Sequence, residues 1–114
     1  MDTGDPIAVT PEPPYYAVIF TSLLSPDTEG YGEAADRMFE LVKGMPGYLG
    51  AEHARDGVGI TVAYFRDEEA IAAWREHPEH AEVRARGRKQ WYDAFELRIA
   101  RVERAYGFRR SEVD

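Results

Sequence analysis

Two tryptophans and two of the three histidines fall together in Trp74-Arg75-Glu76-His77-Pro78-Glu79-His80 and Gly87-Arg88-Lys89-Gln90-Trp91-Tyr92. Indole rings stack on flat organic molecules, and an imidazole changes charge near neutral pH. Together they indicate a pocket for a planar ligand with a base at hand. Other chemistries lack their parts. His77 and His80, three apart, have no third metal ligand near in sequence. Gly57-Val58-Gly59 is hairpin text rather than a phosphate cradle, and Ser22, Ser25 and Ser111 have no nucleophile-elbow context. Cysteine is absent, which removes disulfides, thiolate nucleophiles and cysteine-bound metal and fits a reducing cytoplasm.

The surrounding elements are legible from periodicity. Pro6, Pro11, Pro13 and Pro14 oppose both helix and sheet, so residues 1–14 read as a disordered or loosely draped leader. Tyr15-Tyr16-Ala17-Val18-Ile19-Phe20-Thr21 is aromatic and β-branched, the mark of a central strand covered on both faces. Tyr31, Ala34, Ala35, Met38, Leu41, Val42 and Met45 form one helical stripe that stops at Gly44 and Pro46. Strands follow at 48–55 and 60–65, joined by Asp56-Gly57. Asp67 is placed to cap a second helix, and Pro78 must break or restart it because it has no amide hydrogen to donate. His80, Val83, Arg84, Gly87 and Trp91 align on one side of the second segment. A last strand, from about residue 94 to 106, carries Phe95, Leu97 and Ile99 on one face.

Strand, helix, strand, strand, helix, strand is an α+β order, the ferredoxin-like βαββαβ fold: a four-stranded antiparallel sheet with its helices on one face. The other face would carry half of the strands' apolar residues, more than 114 residues can cover internally. A homodimer with two sheets packed face to face follows. A formal net charge of -7 opposes nucleic-acid binding, and no apolar run reaches the roughly 20 residues of a membrane span. The start of the chain lacks a basic, then apolar, secretory pattern, so a cytoplasmic location is expected. Basic residues nevertheless crowd late, from Arg84 to Arg110, as a solvated face paired with nearby glutamates or as a positive rim attracting an acidic small molecule.

Ala17-Val18-Ile19-Phe20-Thr21, Pro46-Gly47-Tyr48-Leu49-Gly50, Gly59-Ile60-Thr61-Val62-Ala63-Tyr64-Phe65 and Ala73-Trp74-Arg75 carry a further likeness. His80, Gly87-Arg88, Trp91-Tyr92 and the run from Arg101 to Phe108 extend it. With these words, residues 15–108 resemble the antibiotic biosynthesis monooxygenase-type family of dimeric α+β barrels, leaving 109–114 as a tail. Within its quinone-forming branch the resemblance implies oxidation of an electron-rich, quinol-like or polyphenolic aromatic by dioxygen, with no cofactor or metal. A deprotonated substrate of that kind passes an electron to dioxygen itself, so the protein need only bind it, remove a proton and exclude water. On that reading His80 or His77 is the base, and Trp74, Phe65 and Phe20 are aromatic walls. Tyr64 or Arg84 then holds the phenolate. The haem-degrading branch asks for an asparagine on the first strand, a tryptophan on the second helix and a histidine ten residues later. Trp74 is present, but Arg84 stands at the third position and the chain has no asparagine. The alternative is a non-catalytic protein on the same barrel that binds or senses a small aromatic ligand or haem.

Each residue also has a plainer reading. Trp74 suits a helix-to-core contact, Trp91 a packing anchor at the helix-to-strand corner, and His77 a helix end. His53, beside Glu52, suits solvent or a dimer seam.

Overall fold

A computed structural model describes residues 6–110. Its elements are β1 (Tyr15–Leu24), α1 (Tyr31–Val42), β2 (Tyr48–Asp56), β3 (Val58–Phe65), α2 (Glu68–Glu76), α3 (Pro78–Arg86) and β4 (Tyr92–Val102). A π-type turn, Gly87–Trp91, joins α3 to β4. The strands form one antiparallel sheet in the order β2-β3-β1-β4. This is the expected ferredoxin-like α+β fold, with β1 in the interior of the sheet. The predicted second helix is two helices, because Pro78 ends α2 and opens α3 as its first residue.

Local chemistry explains the breaks. Asp67 caps α2, its carboxylate accepting the Ala70 N–H at 2.8 Å. His77 does the same for α3, its Nδ1 accepting the Glu79 N–H at 3.1 Å. The β2–β3 turn is tight, with Asp56 paired to Val58 and only Gly57, at φ +80°, between them. Of the predicted leader, residues 1–5 lie outside the described residues. Ala8 donates its N–H to Glu52 on β2 at 3.0 Å, and Thr10 its hydroxyl to the Tyr15 phenol at 2.9 Å. Of the tail, residues 111–114 also lie outside them.

Strand pairing assigns the two faces of the sheet. Val18 pairs with Ala63 and Ile99, and Phe20 with Thr61 and Leu97, so these residues share the face beneath the helices. Tyr15, Ala17, Ile19, Val62 and Tyr64 take the other. Strict alternation would place Tyr48 and Ala51 on opposite sides of β2. A bulge at Leu49, between the pairs Tyr48–Phe65 and Gly50–Tyr64, turns both to the helix face. The core gathers there, around Val42, Phe65 and Ala70, with Val18, Met45, Tyr48, Ile71 and Trp74 packed against them. Exposed Leu23, Val58 and Ile60 lie on the face away from the helices.

Candidate functional site

Between the sheet and all three helices lies a cavity of about 370 Å³. Apolar groups make most of its wall: Val18 and Phe20 from β1, Met38 and Phe39 from α1, Ile71 and Trp74 from α2, Val83 from α3, Leu97 and Ile99 from β4. Beyond the helices' cover, the edge strand β4 leaves Leu97 44% and Ile99 48% exposed. The β4 side of the cavity thus offers a planar ligand open hydrocarbon surface, with Arg88 over the Phe95 ring at 5.6 Å.

His80 is the titratable group best placed in that wall. Its ring stacks on Trp74, with centroids 4.2 Å apart and planes at 14°. Nδ1 lies 3.0 Å from the Trp74 carbonyl. A carbonyl oxygen only accepts, so Nδ1 carries the hydrogen and Nε2 is the basic nitrogen of the neutral ring. Burial holds the His80 pKa below its ordinary value, with Arg84, His77 and Arg75 acting in the same direction against that hydrogen bond. His80 is thus a neutral, oriented proton acceptor at pH 7. The stack also changes the expectation for Trp74. One face of its indole is taken by His80, and the pair acts as a single two-ring wall.

The remaining expected residues separate. Arg84 and Phe20 line the cavity, Phe20 packing on Tyr92 at 5.4 Å and Phe95 at 5.2 Å. Phe65 borders it too, but at 1% exposure it is spent on the core, so its expected role of stacking on a ligand gives way to that of a floor. Tyr64 is corrected outright: adjacent strand residues point to opposite faces, and Tyr64 turns away from the cavity that Phe65 faces. Its phenol donates to Glu52 at 2.8 Å, and burial followed by that carboxylate pushes its pKa up to about 12. His77 does not line the cavity, and its Nδ1 is committed to capping α3. The helix-end reading of His77 fits this position, where its Nδ1 accepts from the Glu79 N–H. His53 is exposed and stacks on Phe39 of α1 at 5.2 Å.

Sequence reasoning missed the opposite end of the cavity. Tyr31 and Tyr92 meet edge-to-face at 5.8 Å, and burial followed by the Tyr31 hydrogen bond pushes the Tyr92 phenol well up. Arg55 reaches from β2 across Gly59 to donate to the buried Ser22 hydroxyl at 2.6 Å. A Cβ on Gly59 would overlap that guanidinium, which would have to shift to make room. Tyr31 belonged to a stripe that any buried helix face would show, and an arginine crossing two strands leaves no local pattern. Among the described residues, no cluster of three or more metal-ligating side chains forms, and no helix is long and apolar enough to cross a membrane.

The sequence model of the family described as Antibiotic biosynthesis monooxygenase matches residues 14–86. A Bacillus subtilis (strain 168) protein named Uncharacterized protein YqjZ is 46% identical over 112 residues, spanning 96% of this chain and 98% of its own. Rv0793 from Mycobacterium tuberculosis superposes with a TM-score of 0.70 at 18% identity, covering 81% of this chain and 99% of that one. SnoaB from Streptomyces nogalater, described as a cofactor-independent oxygenase, gives a TM-score of 0.70 at 10% identity, covering 82% and 97%. At these identities both structures bear on the fold alone.

Proposed function

This chain belongs to the antibiotic biosynthesis monooxygenase family, and on that premise we propose that it is a cofactor-independent monooxygenase of an electron-rich, quinol-like aromatic. The observation that carries the reading is His80: a neutral imidazole with one nitrogen tied to the Trp74 carbonyl, set in an apolar aromatic wall. His80 Nε2 takes the phenolic proton. The phenolate then passes an electron to dioxygen, and the resulting radicals combine at a ring carbon. For a phenol with a para C–H, one oxygen atom becomes the second quinone carbonyl and the other leaves as water. The substrate supplies all four electrons, so no outside reductant enters. Burial favours the neutral imidazole before the reaction, and Arg84 on the same wall offsets the negative charge of the phenolate as it forms.

The exposed apolar residues Leu23, Val58 and Ile60, at about half exposure each, support pairing with a second copy through the helix-free face. Ile60→Glu should shift the sedimenting species from dimer to monomer, and a monomeric unaltered protein would defeat the pairing.

The activity is tested by dioxygen consumption of metal-stripped protein with anthrones, naphthols and quinols. Uptake should fall about 100-fold or more in His80→Ala, the usual range for losing a general base. No uptake above the variant, with saturable tryptophan quenching retained, would make this a binding protein instead. A Soret band on adding haem, lost in His80→Ala, would make it a haem binder.

A further inference from the structure

The chain carries 21 acidic and 14 basic residues, yet every charged side chain lining the cavity is an arginine: Arg55, Arg75, Arg84 and Arg88. None of the four is in an ion pair among the described residues. Arg55 is engaged with the Ser22 hydroxyl and carbonyl. The other three stand on the α2–α3 side, together with His80. Arg84 donates Nη2 to the Arg75 carbonyl at 3.1 Å, but its Nε is buried with no acceptor. Packing alone gives no reason to hold this half-buried guanidinium beside hydrocarbon with no acid near it. Arg75 and Arg88 add like charge: they act with burial to hold the Arg84 pKa below its ordinary value. An oxyanion placed among these arginines would offset their mutual repulsion.

We propose that the ligand is an aromatic acid, whose ring system occupies the apolar wall of Phe20, Leu97 and the Trp74–His80 pair while its carboxylate pairs with the Arg84 guanidinium. This rests on the cavity being the ligand site and narrows the substrate class of the proposed reaction to a phenol that also carries an acid. A carboxylate fits because it pairs in plane with a guanidinium and is ionised at pH 7, whatever the state of the phenol. Arg84 and His80 are four residues apart, neighbours on one face of α3. The anchored acid therefore sets the ring beside the base. It also offsets the positive field of Arg84 and Arg75 on His80, so binding strengthens that base for the phenolic proton.

Calorimetric titration of the unaltered protein with 2-naphthoate and with neutral 2-naphthamide isolates the charge, since neither is oxidised. The acid should bind about 10- to 100-fold tighter at low salt, the range for one hydrogen bond to a charged group. Raising ionic strength from about 20 to about 500 mM should weaken the acid and leave the amide unchanged. Arg84→Gln should bring the two affinities together with the amide retained, and Arg88→Gln should narrow the gap a few-fold. Should Arg84→Gln fail to fold, the salt response and Arg88→Gln decide. Equal affinities in the unaltered protein, a gap that survives in folded Arg84→Gln, or binding of neither compound overturns the proposal. Oxygen uptake with neutral phenols but no acid preference would sink this inference and leave the oxygenase reading standing. An acid preference without uptake would do the reverse.

Discussion

Trp91→Ala is expected to be among the most damaging single changes in this fold, and the magnitude follows from what the indole touches. Trp91 is 1% exposed, one of the two most deeply buried large side chains. Its ring meets Tyr31 edge-on at 5.8 Å and lies under the Arg86 guanidinium at 4.7 Å. Its Nε1 donates to the Glu29 carbonyl at 2.8 Å, and its own carbonyl accepts the Ser25 N–H at 2.7 Å. The side chain thus pins the β1–α1 loop to the π-type turn that launches β4. Truncation leaves a cavity the size of an indole, a loss of about 3–5 kcal/mol. Trp91→Phe keeps most of the ring. It forgoes the Nε1 bond, but the Glu29 carbonyl still accepts from Gln90 at 3.2 Å and Arg86 at 3.5 Å, so no acceptor is orphaned. About 1–2 kcal/mol is expected for it. For 114 residues 1 kcal/mol moves Tm by about 4 °C. The alanine variant should therefore melt about 12–20 °C lower and the phenylalanine variant about 4–8 °C lower, read at one protein concentration because association also raises Tm. A loss under about 1 kcal/mol for alanine would refute the burial argument. Equal losses for the two variants would mean that the hydrogen bond, not the ring, holds the corner.

Gly59→Ala must displace the Arg55 guanidinium and strip the buried Ser22 hydroxyl of its donor, a loss of about 1–3 kcal/mol in urea unfolding. In an Arg55→Ala background the same change should cost much less, and equal costs in both backgrounds would disprove the collision. His80 is held below its ordinary pKa of about 6.5, so the unfolded chain binds its proton more readily than the folded one. Its contribution is complete above about pH 6.5 and is lost as pH falls through the lower folded value. Urea midpoints should therefore decline below about pH 6.5 and decline less in His80→Gln; parallel curves would contradict the assignment. Tyr64→Phe removes the bond to Glu52 on the face away from the cavity, so it should cost about 1–2 kcal/mol of stability and leave ligand affinity unchanged. Weakened ligand binding would place Tyr64 in the site after all.

Much of the architecture could be read from local pattern because local physics enforces it. Asp67 and Pro78 act through their own backbone neighbours, the α1 stripe through helical period, and Asp56-Gly57 through one positive φ. His80 and Arg84 were legible as cavity candidates for the same reason, since one helix turn sets them together. Tyr64 was misplaced where strand alternation alone already separates it from Phe65. Arg55 and Tyr92 could not be found by pattern, because each reaches its partners across strands or elements distant in sequence.

By itself the sequence determined the order of elements, the breaks at Asp67 and Pro78, and the aromatic and imidazole content of the region around α2 and α3. Tertiary structure alone decided which of those groups share a space. Strand register and the Leu49 bulge choose the face of every β residue, and helix docking brings Trp74 onto His80. The packed chain also collects arginines from four separate elements around one cavity, with no acid among its lining residues. Secondary structure depends on neighbours within four residues, whereas a cavity depends on distances between segments that only the packed chain defines.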